Sequence, residues 1–171
     1  MTSFLIQAHE TRGPSPWSND TCAFCRIINN ESPAVRVFEN DQVIAILDIL
    51  PLRKGHTLVI PKAHVSRLSE LPPELAAAVG EAVTKVAHAL TLALDNTGLN
   101  VVCNQEYAQA VPHVHYHVIP APTFGKQPSE APSKVTEPLT RREMHQREFE
   151  GRSELDDDDA TVLADKIRSK L

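Results

Sequence analysis

Only one stretch of this chain has the pattern of a long helix, and short alternating runs flank it on both sides. The stretch is "PPELAAAVGEAVTKVAHALTLALDNTG", residues 72–98. Its prolines suit a helix start, where the missing N–H would have had no partner anyway, and Gly98 stands where helices commonly end. Leu75, Val79, Val83, Val86, Leu90 and Leu94 recur at three- and four-residue steps, so one stripe faces a core. Upstream, "AVRVFEN", "QVIAILDIL" and "GHTLVIPK" read as three strands; downstream, "LNVVCNQ" and "HVHYHVI" read as two more. That order predicts an α+β fold with a mostly antiparallel five-stranded sheet and one long helix.

Outside this region the composition changes. Residues 1–20 carry Gly13, Pro14 and Pro16 among small polar residues and are expected to form a flexible tail. Folded structure is expected over 21–122, with "CAFCRIINN" as a short first helix and "HVSRLSEL" as a connector. Residues 123–171 read as a polar, partly disordered arm, proline-rich at first. Its last stretch, "LDDDDATVLADKIRSKL", puts four aspartates before Ala160 and Lys166, Arg168 and Lys170 at the end. That polarity complements a helix macrodipole, so a short C-terminal helix is expected there, with Leu163, Ile167 and Leu171 as a narrow apolar stripe. A calcium loop is the weaker reading, because EF-hand spacing is absent.

Charge and cysteines narrow the function classes. The formal net charge is −5 and no basic stripe is visible, so no strong nucleic-acid binding is expected. No run approaches the roughly 18 apolar residues of a membrane helix, and no membrane association is expected. The start is too polar after Ile6 for a secretory signal, so the expected compartment is the cytosol, with access to the nucleus. Two of the three cysteines form "CAFC", Cys22 and Cys25. In a reducing compartment such a pair serves metal binding or redox chemistry, or is simply two buried thiols. Cys103 reads as a small buried hydrophobe.

The densest chemistry is "VPHVHYHVIPAP", where His113, His115 and His117 alternate with Val114 and Tyr116. In a strand all three imidazoles share one face, while Val114, Tyr116 and Val118 point the other way. The backbones of His113 and His117 then lie about 13 Å apart, too far for one ion to take all three. Asp48, alone in an apolar run, is a second clue, since an unpaired buried carboxylate is costly.

With "CAFCRIINNESPAVRVFENDQVIAILDILPLRKGHTLVIPKAH" upstream of "HVHYHVIP", residues 21–122 resemble the histidine triad (HIT) family, in its zinc-containing hydrolase branches. The resemblance implies the HIT fold and a homodimer whose two sheets join into one. It implies a purine nucleotide substrate cleaved at the α-phosphorus, a nucleoside phosphoramidate or a (di)nucleoside polyphosphate, with release of a nucleoside monophosphate. His115, the middle histidine, is implied as the nucleophile that takes the nucleotidyl group, and His117 as a phosphate contact or acid at the leaving group. Ile27, Ile46 and Ile49 are implied as base walls, although isoleucines taken alone read as core more readily than as pocket. Asp48 is implied at the ribose hydroxyls, Asn104 and Gln109 as amide donors to phosphate, and Ala110 as a backbone donor. Cys22, Cys25, His64 and His113 match a closed, structural zinc set, and the histidine chemistry itself requires no divalent metal.

One departure stands out. The loop "NQEYAQAVPH" is about two residues shorter than is common in the family and holds Glu106 and Tyr107 in place of glycines, which elsewhere let backbone approach a phosphate. The alternative function implied by that change is a catalytically weak or inactive nucleotide-binding or scaffold protein.

Overall fold

A computed structural model describes residues 21–122 and 154–171. In chain order its elements are α1 (Ala23–Ile28), β1 (Arg36–Glu39), β2 (Val43–Leu47), β3 (Thr57–Pro61), α2 (Pro73–Leu94), β4 (Leu99–Cys103), β5 (Tyr116–Pro120) and α3 (Asp157–Arg168). The strands form one sheet in the order β1-β2-β3-β5-β4, every neighbouring pair antiparallel. This is the expected α+β arrangement of five strands and one long helix. The expected tail at 1–20 and most of the arm, 123–153, lie outside the described residues.

Alternation along the central strands decides how the sheet is covered. Val43, Ala45 and Leu47 of β2 point to one face with Val59 of β3, and there they meet α2 and α3. Ile44 and Ile46 point to the other face with Leu58 and Ile60, and there they meet Cys22, Phe24 and Cys25 around α1. Both faces are therefore dry, and both strands are buried along their full length. Such strands read as near-continuous apolar runs rather than clean alternation.

The buried stripe of α2 is Val79, Ala82, Val86, Ala89, Leu90 and Ala93. Val83 and Leu94, expected on that stripe, only flank it. Three alanines let the helix axis approach the sheet closely, which larger side chains would prevent. The helix ends at Leu94, with Asp95 in the left-handed conformation at φ 52°. Gly98, the expected end signal, has another job: a Cβ there would stand 2.6 Å from the Cβ of Ala121. At that crossing Ala121 N–H donates to the Gly98 carbonyl at 2.8 Å, and Asn96 Nδ2 donates to the Ala121 carbonyl at 2.9 Å.

The C-terminal helix is part of the core. Asp156 caps it by accepting from the N–H groups of Asp158 and Asp159 at 3.0 and 3.2 Å. Ala160, Leu163, Ala164 and Ile167 are buried beside α2 and β1. Leu163 and Ile167 each contribute about 1.5–3 kcal/mol by leaving water. The apolar stripe was visible in the sequence; the surface it covers was not.

The strand expected from His113 begins instead at Tyr116. Its ladder to β3 pairs Thr57 with Val118, Leu58 with His117 and Val59 with Tyr116. Continued, that register would set Val114 opposite Pro61, which has no N–H to donate. Val114 N–H turns to the Val65 carbonyl at 2.7 Å, and the Pro61 carbonyl takes a bond from the His113 ring. His113 and His115 thus lead into the strand rather than lie in it.

Candidate functional site

Two clusters of side chains gather on the α1 face. In the first, Cys22 and Cys25 begin α1, His64 follows β3, and His113 arrives ahead of β5. One potential ligand atom from each lies within 4.8 Å of all the others. His113 Nδ1 stands 3.5 Å from Cys22 Sγ and 3.7 Å from Cys25 Sγ, and His64 Nδ1 stands 3.2 Å from Cys25 Sγ. Metal bonds of about 2.3 Å to sulfur and 2.1 Å to nitrogen, at the tetrahedral angle, put S and N about 3.6 Å apart. The set has that shape.

Its electrostatics agree. Burial, then the neighbouring Cys22, pushes the Cys25 thiol up to about 12, so two thiolates require a cation between them. Burial holds His64 below its ordinary value and takes His113 down to about 4, which leaves neutral rings with lone pairs to give. His113 Nε2–H donates to the Pro61 carbonyl at 2.7 Å, which fixes the tautomer that aims Nδ1 at the sulfurs. The residues fit a four-coordinate zinc-type ion with no position left for solvent.

The second cluster begins at His115, which is 3% exposed. Its Nδ1–H donates to the His113 carbonyl at 2.7 Å, so the lone pair sits on Nε2. Phe24 meets the ring edge-on with centroids 5.1 Å apart, and the His117 ring lies 4.8 Å away. Burial lowers the His115 pKa from its ordinary value, against opposing pulls from the His113 carbonyl and the Asp48 charge, so the ring is neutral at pH 7.

Behind His117 stands a residue to which sequence reasoning gave no role. His56 is 2% exposed, and its Nε2 lies 2.9 Å from His117 Nδ1. Its other nitrogen is 3.3 Å from Asp48 Oδ2 and 3.1 Å from the N–H of Leu52. With Leu52 donating to Nδ1, the His56 proton sits on Nε2 and points at His117. A proton arriving at Nδ1 instead meets the Asp48 carboxylate. Asp48, His56 and His117 are also close enough to invite a metal reading. The two nitrogens of the His56 imidazole point apart, however, and each faces a different partner, so the arrangement can pass a proton along more readily than share one ion. The available signal was a histidine after Gly55, which adopts φ +89°, in a run too apolar to leave a ring nitrogen unpartnered.

The remaining candidates separate. Ile27 and Ile46 join one apolar cluster with Phe24 and Leu58, Ile46 fully inside it and Ile27 at its edge. Ile49 stands apart, 66% exposed. The Asp48 carboxylate also accepts from Leu50 N–H at 2.9 Å. Asn104 is half-buried and Ala110 exposed. Gln109 is buried and spends its amide on the loop itself, accepting from Glu106 N–H at 2.8 Å and donating to the Ser66 carbonyl at 3.0 Å.

That loop takes up the strain of missing glycines. Glu106 and Ala108 adopt φ 59° and 56°, the left-handed region where a side chain costs roughly 1–2 kcal/mol. Glu106 paired with Arg67, and Ser69 N–H donating to Gln105 Oε1 at 2.9 Å, fasten the loop to its neighbour and offset the strain. Ala108→Gly is expected to stabilise the protein by about 0.5–1 kcal/mol, after the extra freedom of the unfolded chain is counted. A melting curve raised by about 2 °C checks it, and a lowered one would show that residue 108 is relaxed as it stands.

Comparison with known proteins gives the same picture. A family model described as the HIT domain matches residues 29–123. The adenosine 5'-monophosphoramidase hnt1 of Schizosaccharomyces pombe is 40% identical over 104 residues, 60% of this chain and 75% of that protein. The adenylylsulfatase HINT3 of Arabidopsis thaliana is 40% identical over 108 residues, 62% of this chain and 54% of that protein. The crystal structure of a zinc-bound histidine triad family protein from Mycobacterium smegmatis superposes with a TM-score of 0.65 at 29% identity, over 90% of this chain and 94% of that one.

Proposed function

This chain belongs to the HIT family, and we propose that it is a nucleotidyl hydrolase acting at the α-phosphate of a purine nucleotide. The observation that carries this reading is the state of His115: a neutral buried ring with Nδ1 held by a carbonyl and Nε2 left to react. In the first step Nε2 attacks the α-phosphorus, a P–N bond forms and the bond to the leaving group breaks. His117, backed by His56 and Asp48, delivers the proton that the leaving amine or oxygen needs. In the second step water attacks and gives a proton back to His117, the P–N bond breaks, and a nucleoside monophosphate leaves with His115 and His117 restored.

Ile27, Ile46 and Ile49 hold the base in this reading, and Asp48 the ribose. Asn104 and the backbone at Ala110 face the phosphate. Gln109 reaches it only by surrendering a bond inside the loop. Zinc on Cys22, Cys25, His64 and His113 supplies a cross-link between α1 and the approach to β5. With all four positions taken by protein, it takes no part in a step.

A panel of an adenosine phosphoramidate, adenosine phosphosulfate and diadenosine polyphosphates tests the activity. Release of the monophosphate from at least one is expected. No release from any, with nucleotide still bound, would make this a binding protein, the outcome that the strained loop favours. We propose further that two copies pair through β4. That strand is an edge, with Val101 44% exposed on it, and an uncovered edge invites a second strand. Val101→Lys is expected to give a folded monomer in sedimentation; an unchanged dimer would place the interface elsewhere. The cytosol remains the proposed compartment.

A further inference from the structure

Helix α3 lies on the face of the sheet opposite the nucleotide site, yet both of its ends reach residues that wall that site. At its start, Leu155 N–H donates to the Ile49 carbonyl at 3.0 Å, one residue past Asp48. At its end, Arg168 donates through Nε and Nη2 to the Arg36 carbonyl, at 3.0 and 2.8 Å. Arg36 in turn sends Nη2 to the Ile27 carbonyl at 2.6 Å and to Asn30 Oδ1 at 2.8 Å. Ile27 and Ile49 are the two ends of the base-binding reading, and one helix holds both from behind.

Ala160, Leu163, Ala164 and Ile167 bury one side of the helix, and a solvent-open cleft of about 360 Å³ lies between its first turn and the loop before β3. Arg53 and Lys54 line that cleft on the loop side, and Glu154, Asp156 and Asp159 on the helix side. The helix is tied to the two neighbouring segments by hydrogen bonds at both ends, Leu155 to Ile49 and Arg168 to Arg36, and packed along its middle.

We propose that Arg168 and Arg36 are positioning residues for nucleotide binding, and that docking of α3 and occupation of the pocket are coupled. The proposal rests on the pocket reading given above. Coupling is reciprocal: a ligand that needs Ile27 and Asp48 in place also holds the helix that holds them. No chemistry passes through α3, so the effect falls on binding rather than on turnover.

The test uses the full chain with adenosine monophosphate as probe. In hydrogen–deuterium exchange, saturating nucleotide is expected to slow exchange at α3 as well as at α1. In steady-state hydrolysis, Arg168→Ala is expected to raise KM about fivefold with kcat changed less than twofold. That is the order expected when a bond from a charged donor is lost and part of the loss reaches the pocket. Arg168→Lys, which keeps one donor, is expected to recover most of the affinity. Slowed exchange at α1 with none at α3, or an unchanged KM in Arg168→Ala, overturns the coupling and leaves the hydrolase reading standing. Failure of the wild type to bind the nucleotide overturns both.

Discussion

His115→Ala is expected to cut hydrolysis by about 10³-fold or more while leaving nucleotide affinity within a few-fold of the wild type. Removing a nucleophile takes away the whole two-step path, whereas removing an auxiliary group only slows a step. The ring's other contacts are modest: one bond to the His113 carbonyl and edge-on packing against Phe24 and His117. Substitution by alanine therefore empties the reactive position without dismantling its surroundings. The checks are single-turnover hydrolysis and binding of adenosine monophosphate, measured on the same preparation. A nucleotidyl-protein intermediate trapped by an alkaline denaturing quench, since a P–N bond to histidine is acid-labile, should appear in the wild type and vanish in His115→Ala. Turnover within tenfold of the wild type would move the nucleophile elsewhere.

The second large effect concerns the four-ligand cluster. Elemental analysis is expected to give close to one zinc per chain, and Cys25→Ser to remove most of it. Loss of the ion leaves a buried thiol and two neutral imidazoles facing one another with nothing between them. Structural zinc binding is itself folding free energy, so the loss is expected to cost several kcal/mol and lower the melting temperature by more than about 10 °C. A strong chelator should do the same to the wild type, and restored zinc should reverse it. A metal-free protein that melts normally would sink the structural site.

Much of the fold was legible because its signals are local. Apolar stripes at helical spacing mark α2, alternation marks the strands, and the aspartate-to-basic gradient marks α3. What escaped depends on partners far away in the chain. The ladder into β5 stops at Tyr116 because Pro61, on another strand, cannot donate. The alanines at 82, 89 and 93 read as filler until the sheet is seen to press on them. The candidate site divides in the same way. "CAFC" and the alternating histidines announce themselves, whereas His56 matters through a bond to a residue 61 positions away. Gln109 carries an amide of the right type for phosphate, but only the folded loop shows where its bonds go.

The order of synthesis gives the last helix a further meaning. Val37, Val43, Ala45, Val86 and Leu90 belong to the core that α3 completes, and all of them leave the ribosome well before it. Until Ala160 to Ile167 emerge, part of that apolar surface has no cover, a period in which nascent chains are prone to stick to one another. That interval ends when eighteen residues, 154–171, come into reach.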